Sequence, residues 1–280
     1  MRRSLAPVLA LLAALGSGAS PRAEPPETTL LLATTTSVRD CGLLDELLPI
    51  FREQHGIHAK VIAVGTGAAL RMGAEGNADV LITHAPEAEA ALVESGAARA
   101  RVPFMENHFV LAGPPEDTAR AREAPSILEA LRRIRAANAA FVSRGDDSGT
   151  HKREAALLSA AGLPTQPDWE AALRTGSGMG LALQVAGERR AYVLSDIGTF
   201  LAFQARTGLA VLSRPEPELR NVYSVLRIDP ARFPKVRAAP ARALETFLIG
   251  PEAQRRIAAF GVERYGRPLF RPIADPHSGD

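Results

Sequence analysis

Short apolar runs alternate along the chain with longer stretches whose apolar positions recur at helical spacing. Residues 29–33 read as a buried strand. Leu43, Leu44, Leu47, Leu48 and Phe51 form a helical stripe that stops at Gly56. Residues 57–64 are strand-like and run into Gly65-Thr66-Gly67, which opens a short helix to about Gly73. A strand over 79–82, a helix over 86–95 with acidic first turns, and a strand over 109–112 follow. The second half continues in the same style. Residues 126–138 read as a helix capped by Ser126, and Phe141-Val142 as a strand feeding a helix over 150–161. Residues 169–173 read as short and irregular. Helices are predicted over 178–187, 199–206, 238–247 and 251–260, and strands over 191–194, 209–212 and 222–228.

This alternation predicts an α/β chain with open, mostly parallel sheets and helices on both faces. Ligands in such folds sit beyond the carboxyl ends of the strands. The chain has 280 residues, enough for one large domain or two lobes. Its start changes the picture of where it works. Arg2 and Arg3 precede a short apolar run over 5–15, and Gly16-Ser17-Gly18-Ala19-Ser20 follows. Such a run is too short to span a membrane and predicts a cleaved secretion signal over 1–23. Ser17-Gly18-Ala19 is the preferred cleavage motif and Ala23 the alternative. No cysteine follows the run directly, so an exported protein without a lipid anchor is expected. The formal charge of +2 falls to 0 without Arg2 and Arg3, and to −1 if Arg22 also leaves. A nucleic-acid partner therefore loses its electrostatic support. Cys41 is the single cysteine, so no internal disulfide forms, and a small, partly buried residue is expected there.

The candidate chemistry lies in turns between strands and helices. Ser143-Arg144-Gly145-Asp146-Asp147-Ser148-Gly149-Thr150-His151 joins a strand to a helix start. The first N–H groups of a helix lack intrahelical partners and carry the positive end of its dipole, which suits an anion. Arg144 adds a planar cation, and Ser143, Ser148 and Thr150 add hydroxyl donors. Thr34-Thr35-Thr36-Ser37 supplies neutral donors after the first strand. Val64-Gly65-Thr66-Gly67-Ala68 permits close backbone approach, and Thr175-Gly176-Ser177-Gly178-Met179-Gly180 opens another helix. Leu194-Ser195-Asp196-Ile197-Gly198-Thr199 is the weakest of these turns. Asp196 would repel an anion, so it caps a helix or holds Arg144.

These motifs, with Ala78-Asp79-Val80-Leu81-Ile82-Thr83-His84-Ala85-Pro86-Glu87-Ala88-Glu89 and the late Leu269-Phe270, resemble the signatures of periplasmic tungstate-binding proteins. Those are the substrate-binding components of tungstate ABC importers. The resemblance runs through nearly all of the expected mature chain, in order. It departs where Ala68 or Ala69 stands in place of a frequent Gln, at Gly76-Asn77 and at Thr83. The family implies a two-lobed periplasmic binding protein of type II, with two crossover strands and an oxyanion site in the inter-lobe cleft. It implies lobe 1 over 24–109 plus 222–280 and lobe 2 over 110–221. It also implies a monomer, no enzyme activity, no cofactor, and an inner-membrane ABC permease as partner. Matched to its motifs, the anion-binding residues are Thr35, Thr36, Ser37, Thr66, Gly67, Ala68, Arg144, Ser148, Thr150, Ser177, Gly178 and Met179. Asp146, Asp147, His84 and Asp196 would support them.

Tungstate is a tetrahedral dianion that offers only acceptors, so a donor-only pocket suits it. Molybdate matches it in charge and size, and sulfate is smaller. Phosphate stays a rival, because Asp146 or Asp147 could accept its proton. A periplasmic hydrolase is a remote rival, with Ser148, His151 and Asp146 as residue types. Ser148 and His151 lie three apart at a helix start, a poor orientation for a triad, and no Gly-x-Ser-x-Gly elbow exists. His55 and His58 lack the company of a metal motif, and Trp169 reads as a core or inter-lobe residue.

Overall fold

The computed structural model describes residues 28–273, so the leader expected over 1–23 lies outside the described residues. Strand β1 (Thr28–Thr35) is followed by helices α1 (Thr36–Asp40) and α2 (Leu43–His55). Strand β2 (Ile57–Val64), helix α3 (Thr66–Ala74), strand β3 (Val80–Thr83) and helix α4 (Pro86–Glu94) complete the first run. β1 pairs in parallel with both β2 and β3. Strand β4 (Ala98–Gly113) then leaves this half. Helix α5 (Ile127–Ala136), strand β5 (Phe141–Ser143), helix α6 (Gly149–Ala160), strand β6 (Ala172–Arg174) and helix α7 (Met179–Arg189) follow. Strand β7 (Tyr192–Asp196), helix α8 (Ile197–Thr207) and the short strand β8 (Ala210–Val211) end the second half. Strand β9 (Arg220–Ile228) returns, and helices α9 (Ala238–Ile249), α10 (Pro251–Ala259) and α11 (Val262–Tyr265) and strand β10 (Arg271–Pro272) close the fold.

The strand order is β2-β1-β3-β9-β4-β7-β5-β6, with β8 and β10 both pairing β4. β4 serves both halves. Its residues from Ala98 to His108 pair with β9, and Phe109 to Ala112 pair with β7. Side chains alternate between the two faces of each sheet, as the pleat requires. Val80 and Ile82 join the core beneath α2 and α9, while Leu81 faces the α3 side. Tyr192 and Leu194 likewise face one core of the second half and Val193 the other. Each half therefore has its own apolar layers on both faces of its sheet, and the α/β, two-lobed class holds.

Three sequence expectations change. The sheet is mixed rather than mostly parallel, because β4 and β9 run antiparallel to each other and to their neighbours β3 and β7. β4 starts at Ala98, not near Phe109; register shifts at Ala98/Arg101 and Pro103/Met105 break the alternation that would have revealed it. β6 is an exposed edge strand whose side chains carry no apolar rhythm. Trp169 belongs to the core of the second half, where its ring lies 5.6 Å from Phe141 and its indole donates to the Ala139 carbonyl at 2.9 Å.

The turn after β3 is held by Glu89 of α4, which is fully buried. Its carboxylate accepts from Thr83 Oγ1 at 2.7 Å, the Ala85 N–H at 2.8 Å and Arg101 Nε at 2.6 Å. These bonds fix both neighbours of His84. Glu89→Leu should therefore cost about 3 kcal/mol, since it strands a guanidinium and a buried N–H. Urea unfolding of the two proteins measures this; a loss below about 1 kcal/mol contradicts the clamp.

Candidate functional site

Donor-bearing turns follow the carboxyl ends of β1, β2 and β5, and a further one precedes α7. Thr35, the last residue of β1, caps α1; its hydroxyl accepts from the Val38 N–H at 3.3 Å and lies 3.1 Å from Ser37 Oγ. Thr36 is half-buried and Ser37 buried. Thr34 is turned away, donating to the Ile82 carbonyl at 2.8 Å. Gly65 precedes α3, so Thr66, Gly67 and Ala68 form its first turn, where N–H groups lack helical acceptors. Ser148 caps α6, accepting from the His151 N–H at 3.2 Å. Gly178 precedes α7. Met179 buries its side chain in a core, so only its backbone can serve a ligand.

Arg144 is 3 % exposed. Its Nη2 meets Asp146 Oδ2 at 2.5 Å, and its Nε donates to the Ser177 carbonyl at 3.3 Å. The backbone ties this segment to the turn before α7, with Thr175 N–H donating to Ser143 O and Gly176 N–H to Arg144 O. In this segment and the turn tied to it, the hydroxyls of Ser143, Thr150, Thr175 and Ser177 are buried without a well-formed hydrogen bond, Ser143 having only the Glu154 carboxyl beside it. Buried hydroxyls without acceptors are costly, and here they lie in the two segments that hold a buried cation. Asp146 also accepts from the Ser148 N–H at 3.2 Å, so both of its oxygens are engaged. Asp147 sits in the left-handed region (φ 58°) and binds Lys152 at the surface. Asp196 caps α8 through the Thr199 N–H and hydroxyl at 2.9 and 2.7 Å, which settles its role as a cap.

The turns of the two halves touch. The Gly149 N–H donates to Thr66 Oγ1 at 2.8 Å. A Cβ on Gly149 would lie 2.7 Å from the buried His84 ring, which is held at both nitrogens, so glycine is required there; one on Gly67 would meet only the end of the exposed Asp147 side chain. A cleft of about 270 Å³ between His84, Ala85, Pro86, Gly149, Lys152 and Arg153 borders this contact. His84 is buried, with Nε2 3.3 Å from Ser37 Oγ and Nδ1 2.9 Å from Asn221 Oδ1. Burial lowers its pKa, against the pull of Asp196, and favours the neutral ring.

Two further residues belong to this region. Glu154 of α6 is buried beneath Ser143 and Arg144, and neither carboxyl oxygen has a well-formed hydrogen bond. Burial pushes its pKa up to about 8, although Ser143 and Arg144 favour the anion. Its i+3 and i+4 spacing to Leu157 and Leu158 marked it as inward-facing. Asn221 lies just outside the strand expected over 222–228; in β9 it stands two before Tyr223 and is buried with it. Burial pushes the Cys41 thiol up to about 12, so it stays a thiol rather than a thiolate at neutral pH. His151 accepts on Nδ1 from the Asp147 N–H at 3.1 Å, so its ring does not serve Ser148 as a base. Among the described residues no group of three His, Cys, Asp or Glu could hold a metal ion, and His55 and His58 are exposed.

Comparison with known proteins agrees with this arrangement. A family model described as a PBP superfamily domain matches residues 20–252. The tungstate-binding protein TupA of Peptoclostridium acidaminophilum is 42 % identical over 261 residues, 91 % of each chain. The solved tungstate-binding protein TupA from Desulfovibrio alaskensis G20 superposes with a TM-score of 0.78 at 38 % identity, over 89 % of this chain and all of that one. A structure described as the tungstate ABC transporter from Geobacter sulfurreducens gives a TM-score of 0.76 at 39 % identity, over 83 % of this chain and 98 % of that one. A fold with two traversing strands, donor turns meeting around a buried arginine, and identity at this level over nearly the full length place the chain in the PBP superfamily, in the TupA family of tungstate-binding proteins.

Proposed function

We propose that this protein captures tungstate between its lobes and delivers it to the permease of an ABC importer. The observation that carries the reading is the set of buried hydroxyls without a well-formed hydrogen bond, Ser143, Thr150, Thr175 and Ser177, in the two segments that hold the buried Arg144. These are donors, and a fully deprotonated oxyanion offers only acceptors. Thr35, Thr36, Ser37, Thr66 and the amides of Gly67 and Ala68 would complete the shell from lobe 1. Ser148, Gly178 and the Met179 N–H would add to it from lobe 2. Lobe 1 comprises residues 24–109 plus 222–280 and lobe 2 residues 110–221 in this reading. Bonds of this charge-assisted kind contribute ~1.5–3 kcal/mol each, so several suffice for tight binding after the cost of ordering is subtracted.

The charges also favour tungstate over phosphate. Monohydrogen phosphate needs an acceptor for its proton, and Asp146 is already engaged by Arg144 and Ser148 while Asp147 faces Lys152. Sulfate matches tungstate in charge but is too small to reach donors set for the larger ion. Molybdate shares both charge and size and is the second ligand expected to bind. The protein acts as a binding protein rather than an enzyme, needs no cofactor, works as an exported monomer in the periplasm, and presents its closed form to the membrane partner.

Arg144→Ala should weaken tungstate binding about a hundredfold, ~3 kcal/mol, in a protein that still folds but melts lower than the parent, because Asp146 loses its buried partner. Titration calorimetry with tungstate, molybdate, sulfate and phosphate tests both residue and ligand. Undiminished affinity in the variant, or phosphate binding as tightly as tungstate, defeats the reading. A pH dependence follows from Glu154. A dianion beside this carboxyl raises its pKa further, so the complex holds the proton more tightly than the free protein does. Affinity should therefore be full below about pH 8 and decline above it. Glu154→Gln should flatten that decline in titrations from about pH 7 to about pH 9.5.

A further inference from the structure

His84 directly follows β3, and its ring bridges the start of α1 and strand β9. Nε2 faces Ser37 at 3.3 Å, on the turn after β1. Nδ1 faces Asn221 at 2.9 Å, on β9. Asn221 in turn contacts Asn107 of β4 and the Tyr223 hydroxyl, each at 2.8 Å. The ring stacks on Tyr223 with centroids 4.9 Å apart, and its edge lies against Gly149 at the start of α6. A ring kept neutral has one proton to place on two nitrogens, and the bond made by one nitrogen decides the state of the other.

Two proton arrangements fit these heavy atoms. In the first, the Asn221 amide gives its protons to Asn107 and Tyr223 and accepts from His84 Nδ1–H. Nε2 is then bare, and the Ser37 hydroxyl must donate to it. Ser37 would show a lone pair to the pocket, which an oxyanion repels. In the second, both asparagine amides are turned over, an assignment the heavy atoms leave equivalent. Asn107 and Tyr223 then donate to Asn221, Asn221 donates to Nδ1, and Nε2–H donates to Ser37. The Ser37 proton is then free of the ring and can turn from Thr35 Oγ1, 3.1 Å away, to an oxyanion in the pocket. Asn107 Nδ2 has no partner in the first arrangement and gains one in the second.

We propose that the bound oxyanion holds His84 as the neutral Nε2–H tautomer, making it a positioning residue that turns the Ser37 hydroxyl into the pocket. This rests on the oxyanion reading of the site. The proton count is unchanged: the ring takes a proton on Nε2 and returns the one on Nδ1 through solvent while the lobes are apart. The chain of bonds ends on β4 and β9, the strands that run between the lobes. Ligand polarity is thereby tied to the segment about which closure occurs.

Long-range ¹H–¹⁵N spectra of histidine-labelled protein test this, with the His84 signals assigned by their loss in His84→Gln. With sodium tungstate bound, Nε2 should resonate as a protonated nitrogen and Nδ1 as a bare one. A bare Nε2, or a doubly protonated ring, in a sample that calorimetry shows to be saturated overturns the proposal while sparing the tungstate reading. Absence of tungstate heat overturns that reading and the proposal with it. The variants provide a second readout. His84→Gln can keep an N–H directed at Ser37, whereas His84→Phe cannot. His84→Phe should lose about tenfold in tungstate affinity, ~1.4 kcal/mol, and His84→Gln should recover most of it. Equal losses in two folded variants contradict the assignment.

Discussion

The passage of β4 and β9 between the two halves is the constraint on which the site depends. These strands pair with each other along most of their length, and β4 then continues into the second sheet by pairing with β7. Because they run antiparallel to β3 and β7, they bring the carboxyl ends of β1, β2 and β3 to face those of β5 and β7. The donor turns of both halves are thus aimed at one place. The same strands carry Asn107 and Asn221 directly beneath it. At this edge β10 joins β4, and Glu106 binds both Arg220 and Arg271, so the late chain is fastened to the crossing. That ion cluster is largely exposed on its arginine side and contributes little by itself. The shared strand pairing does most of the holding.

Charge within the site is balanced more closely than a lone arginine suggests. Arg144 is buried, and a buried guanidinium requires a partner. Asp146 supplies it at 2.5 Å and at the same time fixes the Ser148 N–H. Glu154 lies beneath and remains mostly protonated at neutral pH, because burial outweighs the pull of Arg144. The local sum is near neutral before a dianion arrives. Binding strength must then come from many oriented dipoles rather than from net charge, which is how hydroxyls and helix-start amides act. Such a shell discriminates by geometry and by proton content, and depends less on salt than a cluster of surface lysines would.

The parts of this design that were legible in the sequence are local in character. A strand, a hydroxyl- or glycine-rich turn and a helix start occupy a few consecutive residues, so Thr35–Ser37, Thr66–Ala68 and Ser143–Thr150 could be read directly. Whether such turns converge is a long-range property, to which the α/β alternation and the family resemblance speak but no single turn does. β4 was half hidden because its bulges disrupt the alternation, and β6 because an exposed edge strand has no apolar face to repeat. The sequence allows Asp196 either to cap α8 or to hold Arg144; in the structure its oxygens are taken by Thr199. Glu154 carried a periodic signal for burial but none for purpose, and Asn221 fell just outside the expected strand. A polar residue on a buried face acquires its role from what lies opposite, and for Asn221 that is a histidine 137 positions earlier.

That separation in sequence explains why His84 reads poorly from its own neighbourhood. Its flanking residues are fixed by Glu89, so the ring has little freedom to follow a ligand by moving. A rigid imidazole can still respond, because the position of its proton costs no displacement of heavy atoms. Ser37 and Asn221 sit on opposite sides of that ring, one at the pocket and one on a strand shared by the lobes. A change in which nitrogen donates is therefore felt at both ends at once. Hydroxyl donors suit such control better than amides do: a backbone N–H has a fixed direction, whereas Ser37 can be turned toward or away from an oxyanion by what lies behind it.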